Sequence, residues 1–248
     1  MKSIGIIPSR YASTRFPGKP LTIIKGKTMI QRVYEQAIKS KKLSTVFVAT
    51  DDSRIYNHVN SFGGNVLMTD SKHTNGTTRC NQVISILENT GKLFEIAVNI
   101  QGDEPYINPE QIDSVISLFE NNNVQIGTLA KKITTDDELF DPNVVKMVLN
   151  NKHNAMLFSR HPIPMLRDIN NKNWLNSFEF LKHIGLYAYK TSVLKNIANM
   201  PTGKLEQAEK LEQLRWLENG ISISVKITDY ESIAIDTPDD LLKLETKY

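Results

Sequence analysis

Through about its first 125 residues the chain alternates strand-length apolar runs with helix-length amphipathic runs. No other feature constrains the fold as much. Residues 3–7 read as a buried strand, 45–50 as a second, 65–68 as a third and 94–100, almost wholly apolar, as a fourth. Between them, residues 29–40 place Met29, Ile30, Val33, Ala37 and Ile38 at helical spacing, and 78–87 do so through Val83, Ile84 and Leu87. Asp51-Asp52 offers a helix start, and residues 109–120 open a helix with Pro109 in its first turn. Parallel strands need crossovers of a dozen or more residues, usually helical. This order therefore predicts an α/β chain with a mostly parallel central sheet covered on both faces.

After about residue 125 the pattern loosens. Residues 124–133, 144–149 and 155–158 read as strands without long helices between them, which predicts an antiparallel or mixed extension. Residues 161–179 hold Pro162, Pro164 and four Asn, and read as a surface segment. A strand at 184–189, a charged helix at 205–218, a strand at 221–227 and a short helix at 239–246 complete the reading. No repeat or linker divides the 248 residues, so one domain is expected, with about 1–125 and about 126–248 as its two parts.

Charge and cysteine usage narrow the function. Lys+Arg is 30 and Asp+Glu is 27, a net +3, with no basic stripe of the kind that nucleic-acid binders carry. No run approaches the roughly 18 apolar residues that span a bilayer, and the start of the chain lacks a signal-peptide core. The single cysteine, Cys80, excludes an internal disulfide and argues against a thiol-based zinc site. A cytoplasmic protein with neither nucleic-acid nor membrane partner is expected.

Two strand ends carry chemistry. The first strand runs into Pro8-Ser9-Arg10-Tyr11-Ala12-Ser13-Thr14-Arg15-Phe16-Pro17-Gly18-Lys19. Loops at the carboxyl ends of parallel strands line the ligand crevice. Arg10, Arg15 and Lys19 there suit a triphosphate better than they suit a merely solvated loop. It is not a Walker loop, because the glycine that Gly26-Lys27-Thr28 would require stands as Leu21, and no dinucleotide Gly-x-Gly-x-x-Gly is present. The fourth strand ends in Gln101-Gly102-Asp103-Glu104-Pro105, and a later run ends in Asp236-Thr237-Pro238. Each aspartate is as readily a turn or helix cap as a metal ligand, and spacing alone does not pair them. In His73-Thr74-Asn75-Gly76-Thr77-Thr78-Arg79, Thr77 or Thr78 could cap the helix that follows. Cys80 reads as a buried helix residue rather than a nucleophile.

The ordered set of motifs resembles the 3-deoxy-manno-octulosonate cytidylyltransferase family. It comprises the loop from Ile7 to Leu21, Ala49-Thr50-Asp51-Asp52, Gln101-Gly102-Asp103-Glu104-Pro105, Val145-Lys146-Met147-Val148, Phe158-Ser159-Arg160, His183-Ile184-Gly185-Leu186-Tyr187-Ala188-Tyr189, Leu211-Glu212-Gln213-Leu214-Arg215 and Asp236-Thr237-Pro238. The resemblance implies a Rossmann-like nucleotidyltransferase fold with a mixed dimerisation extension, acting as a homodimer. It implies transfer of CMP from CTP to the sugar acid Kdo with Mg²⁺, giving CMP-Kdo and pyrophosphate for lipopolysaccharide or capsule synthesis. By resemblance Arg10 and Lys19 join Asp103 and Asp236 as catalytic residues, and the two aspartates hold the metal. Pro8, Ser9, Arg10, Ser13, Arg15, Lys19, Asn75, Gly76, Thr77 and Arg79 bind the nucleotide. Gln101, Arg160, His183, Tyr187, Glu212 and Gln213 line the sugar-acid pocket.

One motif departs from the pattern. Where the family reads His-x-Ser-Gly-Thr-(Asp/Glu)-Arg, this chain has Asn75 for Ser and Thr78 for the acid. Parts of the chain look like the branch acting on 8-amino-3,8-dideoxy-manno-octulosonate, so that substrate is an alternative. An inactive nucleotide-binding homologue is a second alternative. A glycosyltransferase is a third, and the chain lacks the Asp-x-Asp motif often used there.

Overall fold

A computed structural model describes residues 1–12, 16–231 and 233–241. Its elements run β1 (Ser3–Ser9), β2 (Ile23–Ile24), β3 (Lys27–Thr28), α1 (Met29–Ala37), β4 (Thr45–Thr50), α2 (Ser53–Ser61), β5 (Val66–Met68), α3 (Gly76–Asn89) and β6 (Ile96–Asn99). Then follow α4 (Pro109–Ser117), β7 (Ile126–Lys132), α5 (Asp136–Phe140), β8 (Lys146–Leu149), β9 (Ala155–Ser159), α6 (Trp174–Ser177), β10 (Leu181–Lys190), α7 (Thr191–Ile197), α8 (Lys204–Glu209), α9 (Gln213–Glu218) and β11 (Ile223–Ile227).

The main sheet has the order β11-β7-β10-β6-β1-β4-β5, with β8 and β9 added beside β10. The first half of the chain gives the parallel strands β6, β1, β4 and β5. The central strands β1 and β6 are buried on both faces, so alternate residues enter different cores. Ile4 and Ile6 of β1 join Val83, Ile84 and Leu87 of α3, whereas Ile7 joins Ile30 and Val33 of α1. β4 repeats this split, with Val46 and Val48 on the α1 side and Ala49 on the α3 side. Truncating a side chain such as Ile6, which has no exposed surface, costs about 2–5 kcal/mol. The loops at the carboxyl ends of these strands therefore stand on a stiff base.

The second half enters the same sheet through β10, which lies antiparallel between β6 and β7. Its register against β7 shifts between Ile184 and Tyr187. Thr128 fills that irregularity: its hydroxyl lies 3.2 Å from the carbonyl of Ile184 and 2.9 Å from that of Leu186. Bulges re-aim side chains, and this one lies beside Gln101 and His183.

Several expected elements change. The helix expected over 205–218 breaks at Lys210, whose φ 55 and ψ 44 are left-handed. The break lets α9 turn so that Leu211, Leu214 and Trp216 bury against the sheet. The helix from Pro109 tightens into a 3-10 turn at Leu118–Glu120. Residues 161–179 include a 3-10 turn at Asn171–Asn173 and the short α6. Residues 233–236 have no strand pairing, so Asp236 does not close a strand. Of the expected terminal helix, residues 239–241 are helical and 242–246 lie outside the described residues. No helix of the described residues is long and apolar enough to cross a membrane.

Candidate active site

The carboxyl ends of β1 and β6 open onto a cleft of about 450 Å³. Pro8, Ser9, Arg10, Ala12, Lys19 and Pro20 line it from the first loop, and Gln101, Gly102 and Asp103 from the loop after β6. These loops approach because position 102 has no side chain. A Cβ there would lie 2.8 Å from the carbonyl oxygen of Pro8, closer than side-chain carbons sit. The Ser13 and Arg15 expectations lie outside the described residues.

Lys19 organises the floor of the cleft. Its Nζ donates to Asp103 Oδ2 at 2.8 Å, to the carbonyl oxygen of Ile235 at 2.9 Å and to Asp236 Oδ1 at 3.4 Å. The Ile235 amide donates back to the Asp103 carbonyl at 2.9 Å. The fold thus brings together two aspartates 133 positions apart in the chain (236 less 103), which spacing alone could not pair. The ammonium offsets their mutual repulsion. Two carboxylates with a carbonyl are hard oxygen donors, the set that Mg²⁺ takes while keeping water or phosphate oxygens as its other ligands. The residues present fit such an ion.

A third wall comes from Thr74, Asn75, Gly76 and Arg79. The helix cap here is Asn75, not Thr77 or Thr78. Asn75 Oδ1 accepts from the Thr78 amide at 2.9 Å and from the Thr78 hydroxyl at 3.0 Å. Positions 75 and 78 thus form one unit. A Ser-x-x-acid pair at these positions is the pattern of a capping box, and Asn75 with Thr78 preserves the cap through other atoms. Arg79 is 1% exposed and donates to Thr69 Oγ1 and Asp51 Oδ2, at 2.5 Å and 3.2 Å. Thr77 points the other way and donates to Glu212 Oε2 at 3.0 Å.

The residues expected around the sugar acid are distributed unequally. Gln101 faces the cleft, with its Nε2 donating to the Gly185 carbonyl at 2.8 Å. Glu212 lies on a neighbouring pocket of about 280 Å³, shared with Asn75, Thr202, Glu206, Gln207 and Lys210. Burial raises the pKa of Glu212, and its Oε1 is buried without a hydrogen-bond partner. Arg160 is engaged elsewhere, donating to the carbonyl oxygens of Glu209 and Pro142 and, through its amide, to Glu209 Oε2. His183 Nε2 lies 3.0 Å from Thr128 Oγ1, and burial lowers its pKa to about 3, so the imidazole is neutral near pH 7. Tyr187 stacks between His183 and Tyr189 with Trp216 at its edge. Its buried hydroxyl has no partner, and burial raises its pKa. Gln213 is buried in α9.

Sequence reasoning missed Ala12, Pro20 and Thr74 as lining residues, although each adjoins a residue it named. It had no signal for the Ile235 carbonyl, since any residue supplies one.

Comparison with known proteins identifies the family. The family model described as cytidylyltransferase matches residues 4–227. A 3-deoxy-manno-octulosonate cytidylyltransferase of Parabacteroides distasonis is 54% identical over 247 residues, 98% of this chain and 96% of the relative. An 8-amino-3,8-dideoxy-manno-octulosonate cytidylyltransferase of Shewanella frigidimarina is 45% identical over 249 residues, 100% of this chain and 98% of the relative. A solved CMP:2-keto-3-deoxy-manno-octonic acid synthetase complexed with CTP superposes with a TM-score of 0.91 at 38% identity, covering 100% of this chain and 98% of the other. A cleft floored by a lysine between two aspartates, in an α/β sheet matched along nearly its whole length, places this chain in the cytidylyltransferase family.

Proposed function

We propose that the chain transfers the cytidylyl group of CTP to the anomeric hydroxyl of 3-deoxy-manno-octulosonate. The observation that carries this reading is the convergence of Lys19, Asp103 and Asp236 at the floor of the cleft that Arg10 and Gln101 also line. The sugar follows the relatives: identity is 54% with one named for Kdo and 45% with one named for its 8-amino analogue.

The anomeric oxygen attacks the α-phosphorus, the bond from that phosphorus to the pyrophosphate oxygen breaks, and the hydroxyl proton passes to solvent. Negative charge builds on the leaving pyrophosphate. Arg10 and Lys19 stand where cations stabilise that charge. Asp103 and Asp236 would hold Mg²⁺, which when bound supplies positive charge at the phosphates and lowers the pKa of the attacking hydroxyl. Gln101, anchored on the β10 irregularity, and Glu212, whose buried Oε1 makes no hydrogen bond, offer polar partners for sugar hydroxyls.

A homodimer fits the extension. Strand β9 pairs only with β8 among the described residues, and Met156 beside that edge is 62% exposed. A second copy would cover it, and sedimentation of the purified protein tests this. The use of CTP supports a cytoplasmic site, and the product would serve lipopolysaccharide or capsule assembly.

Pyrophosphate release from CTP, measured with Kdo, 8-amino-Kdo and a sialic acid, with and without Mg²⁺, tests the reading. Release with Kdo that stops when Mg²⁺ is chelated is expected. Release with none of the three sugars would contradict it.

A further inference from the structure

Asp51 and Asp52 stand side by side at the carboxyl end of β4, and each holds an arginine. Asp51 takes Arg79, in the wall of the cleft. Asp52 takes Arg54 in a two-pronged pair, with Oδ1 to Nε at 3.0 Å and Oδ2 to Nη2 at 2.6 Å. Asp52 Oδ1 also accepts the Arg54 amide at 2.9 Å, which caps α2. Both ends of the Arg54 side chain are thereby fixed.

The guanidinium of Arg54 lies 3.3 Å from the centroid of the Tyr11 ring. That ring also rests on Gly18, where an added Cβ would lie 3.2 Å from Tyr11 Cζ. The Gly18 amide donates to the Tyr11 carbonyl at 3.0 Å, and Gly18 adopts φ 73, a conformation that other residues enter with strain. Tyr11 and Gly18 therefore join the two ends of the first loop. Arg10 directly precedes Tyr11, and Lys19 directly follows Gly18. The join fixes the separation of the two cations on the cleft.

We propose that Arg54, anchored by Asp52, is a positioning residue for the nucleotide: it clasps Tyr11 onto Gly18 and so sets the spacing of Arg10 and Lys19. This rests on the reading that the first loop receives the triphosphate of CTP. Arg54 acts through the ring of Tyr11 rather than by touching phosphate. The contact with an aromatic face is the attraction of a cation for its quadrupole.

The test is calorimetric titration of CTP with Mg²⁺ into sugar-free protein, alongside KM for each substrate and Tm. Arg54→Ala should weaken CTP binding about two- to fivefold, as loss of an exposed cation–ring contact does. Tyr11→Leu should weaken it about as much or more, and the double variant no more than the larger single loss. Tyr11→Phe keeps the ring and should retain CTP affinity. KM for the sugar should stay within about twofold throughout. Unchanged CTP affinity in Arg54→Ala would overturn the proposal, as would equal losses for both substrates with a lowered Tm. A loss in Arg54→Ala with none in Tyr11→Leu would also overturn it, by assigning Arg54 a direct phosphate contact. If wild-type protein bound no CTP, the functional reading would fail instead.

Discussion

The sides of the site proposed for the nucleotide and for the sugar acid are built differently. On the nucleotide side the groups other than Asp236, which lies in a coil, come from loops after parallel strands or from the start of a helix, and polar contacts already converge: Lys19 on Asp103 and Asp236, Asn75 on Thr78, Arg79 on Asp51. On the sugar side Arg160 is spent on backbone carbonyls, His183 is half-buried and neutral, the buried Tyr187 hydroxyl makes no hydrogen bond, and Glu212 Oε1 has only the Arg215 guanidinium at 4.0 Å. Preorganised groups bind without reorganisation cost. Buried groups without a hydrogen bond keep capacity for a further partner. The difference is one of degree: the buried Ser9 hydroxyl on the nucleotide side also lacks a hydrogen-bond partner, but more of that surface is already paired, so the nucleotide is expected to bind before the sugar acid.

The strongest way to break this comparison is at the floor of the cleft. Asp103→Asn should lower kcat by about 10²–10³, the scale seen when a preorganised electrostatic partner is removed, with Tm little changed. A variant with near-wild-type turnover would remove Asp103 from the chemistry. Next, Lys19→Ala should raise KM for CTP by about tenfold or more, as loss of a charge-assisted contact worth about 1.5–3 kcal/mol requires. KM for the sugar should move far less. Equal rises for both substrates would erase the division into two sides.

Glu212 sharpens the sugar side. Its carboxyl has a folded pKa raised by burial, so the stability it contributes is full below the unfolded value and is lost as pH rises through the folded one. Burial thus makes the charged carboxylate the less favourable form in the fold. Glu212→Gln should therefore raise Tm by a few degrees, since about 1 kcal/mol moves Tm by roughly 2–4 °C at this chain length. The same variant should raise KM for the sugar. A fall in Tm at pH 7 would show that the carboxylate is stabilising.

His183 has the opposite sign. Its pKa is depressed to about 3 by burial, so its stability is present above about 6.5, the usual value for histidine, and is lost as pH falls towards 3. Denaturation midpoints of the wild type should decline across that window, and His183→Gln should flatten the decline. An unchanged slope would mean that His183 is already protonated in the fold.

Much of the nucleotide side was legible in the sequence, because near-continuous apolar runs show where the strands end, and the loop cations and Asp103 lie in the segments that follow. Pairing Asp103 with Asp236 needed the resemblance, since it depends on a coil held by Lys19 and by the Asp103 carbonyl. The break at Lys210 was invisible because residues 205–218 hold no Gly or Pro to mark it. The short α5 and α7 carried too few residues to show a period. Most instructive is the turn at 75–79, where two departures from the family pattern prove to be one cap. The smallest expected effect lies there. Asn75→Ser and Thr78→Asp should each cost about 1 kcal/mol or less, and the double variant should recover part of the sum. Strict additivity would show that the two positions act independently.

Calorimetry tests the order of assembly most directly. CTP with Mg²⁺ is titrated into sugar-free protein, and Kdo into nucleotide-free protein. The account predicts saturable heat for CTP alone and no measurable binding of Kdo until a nucleotide is present. Kdo binding to the nucleotide-free protein as tightly as CTP binds to the sugar-free protein would contradict it.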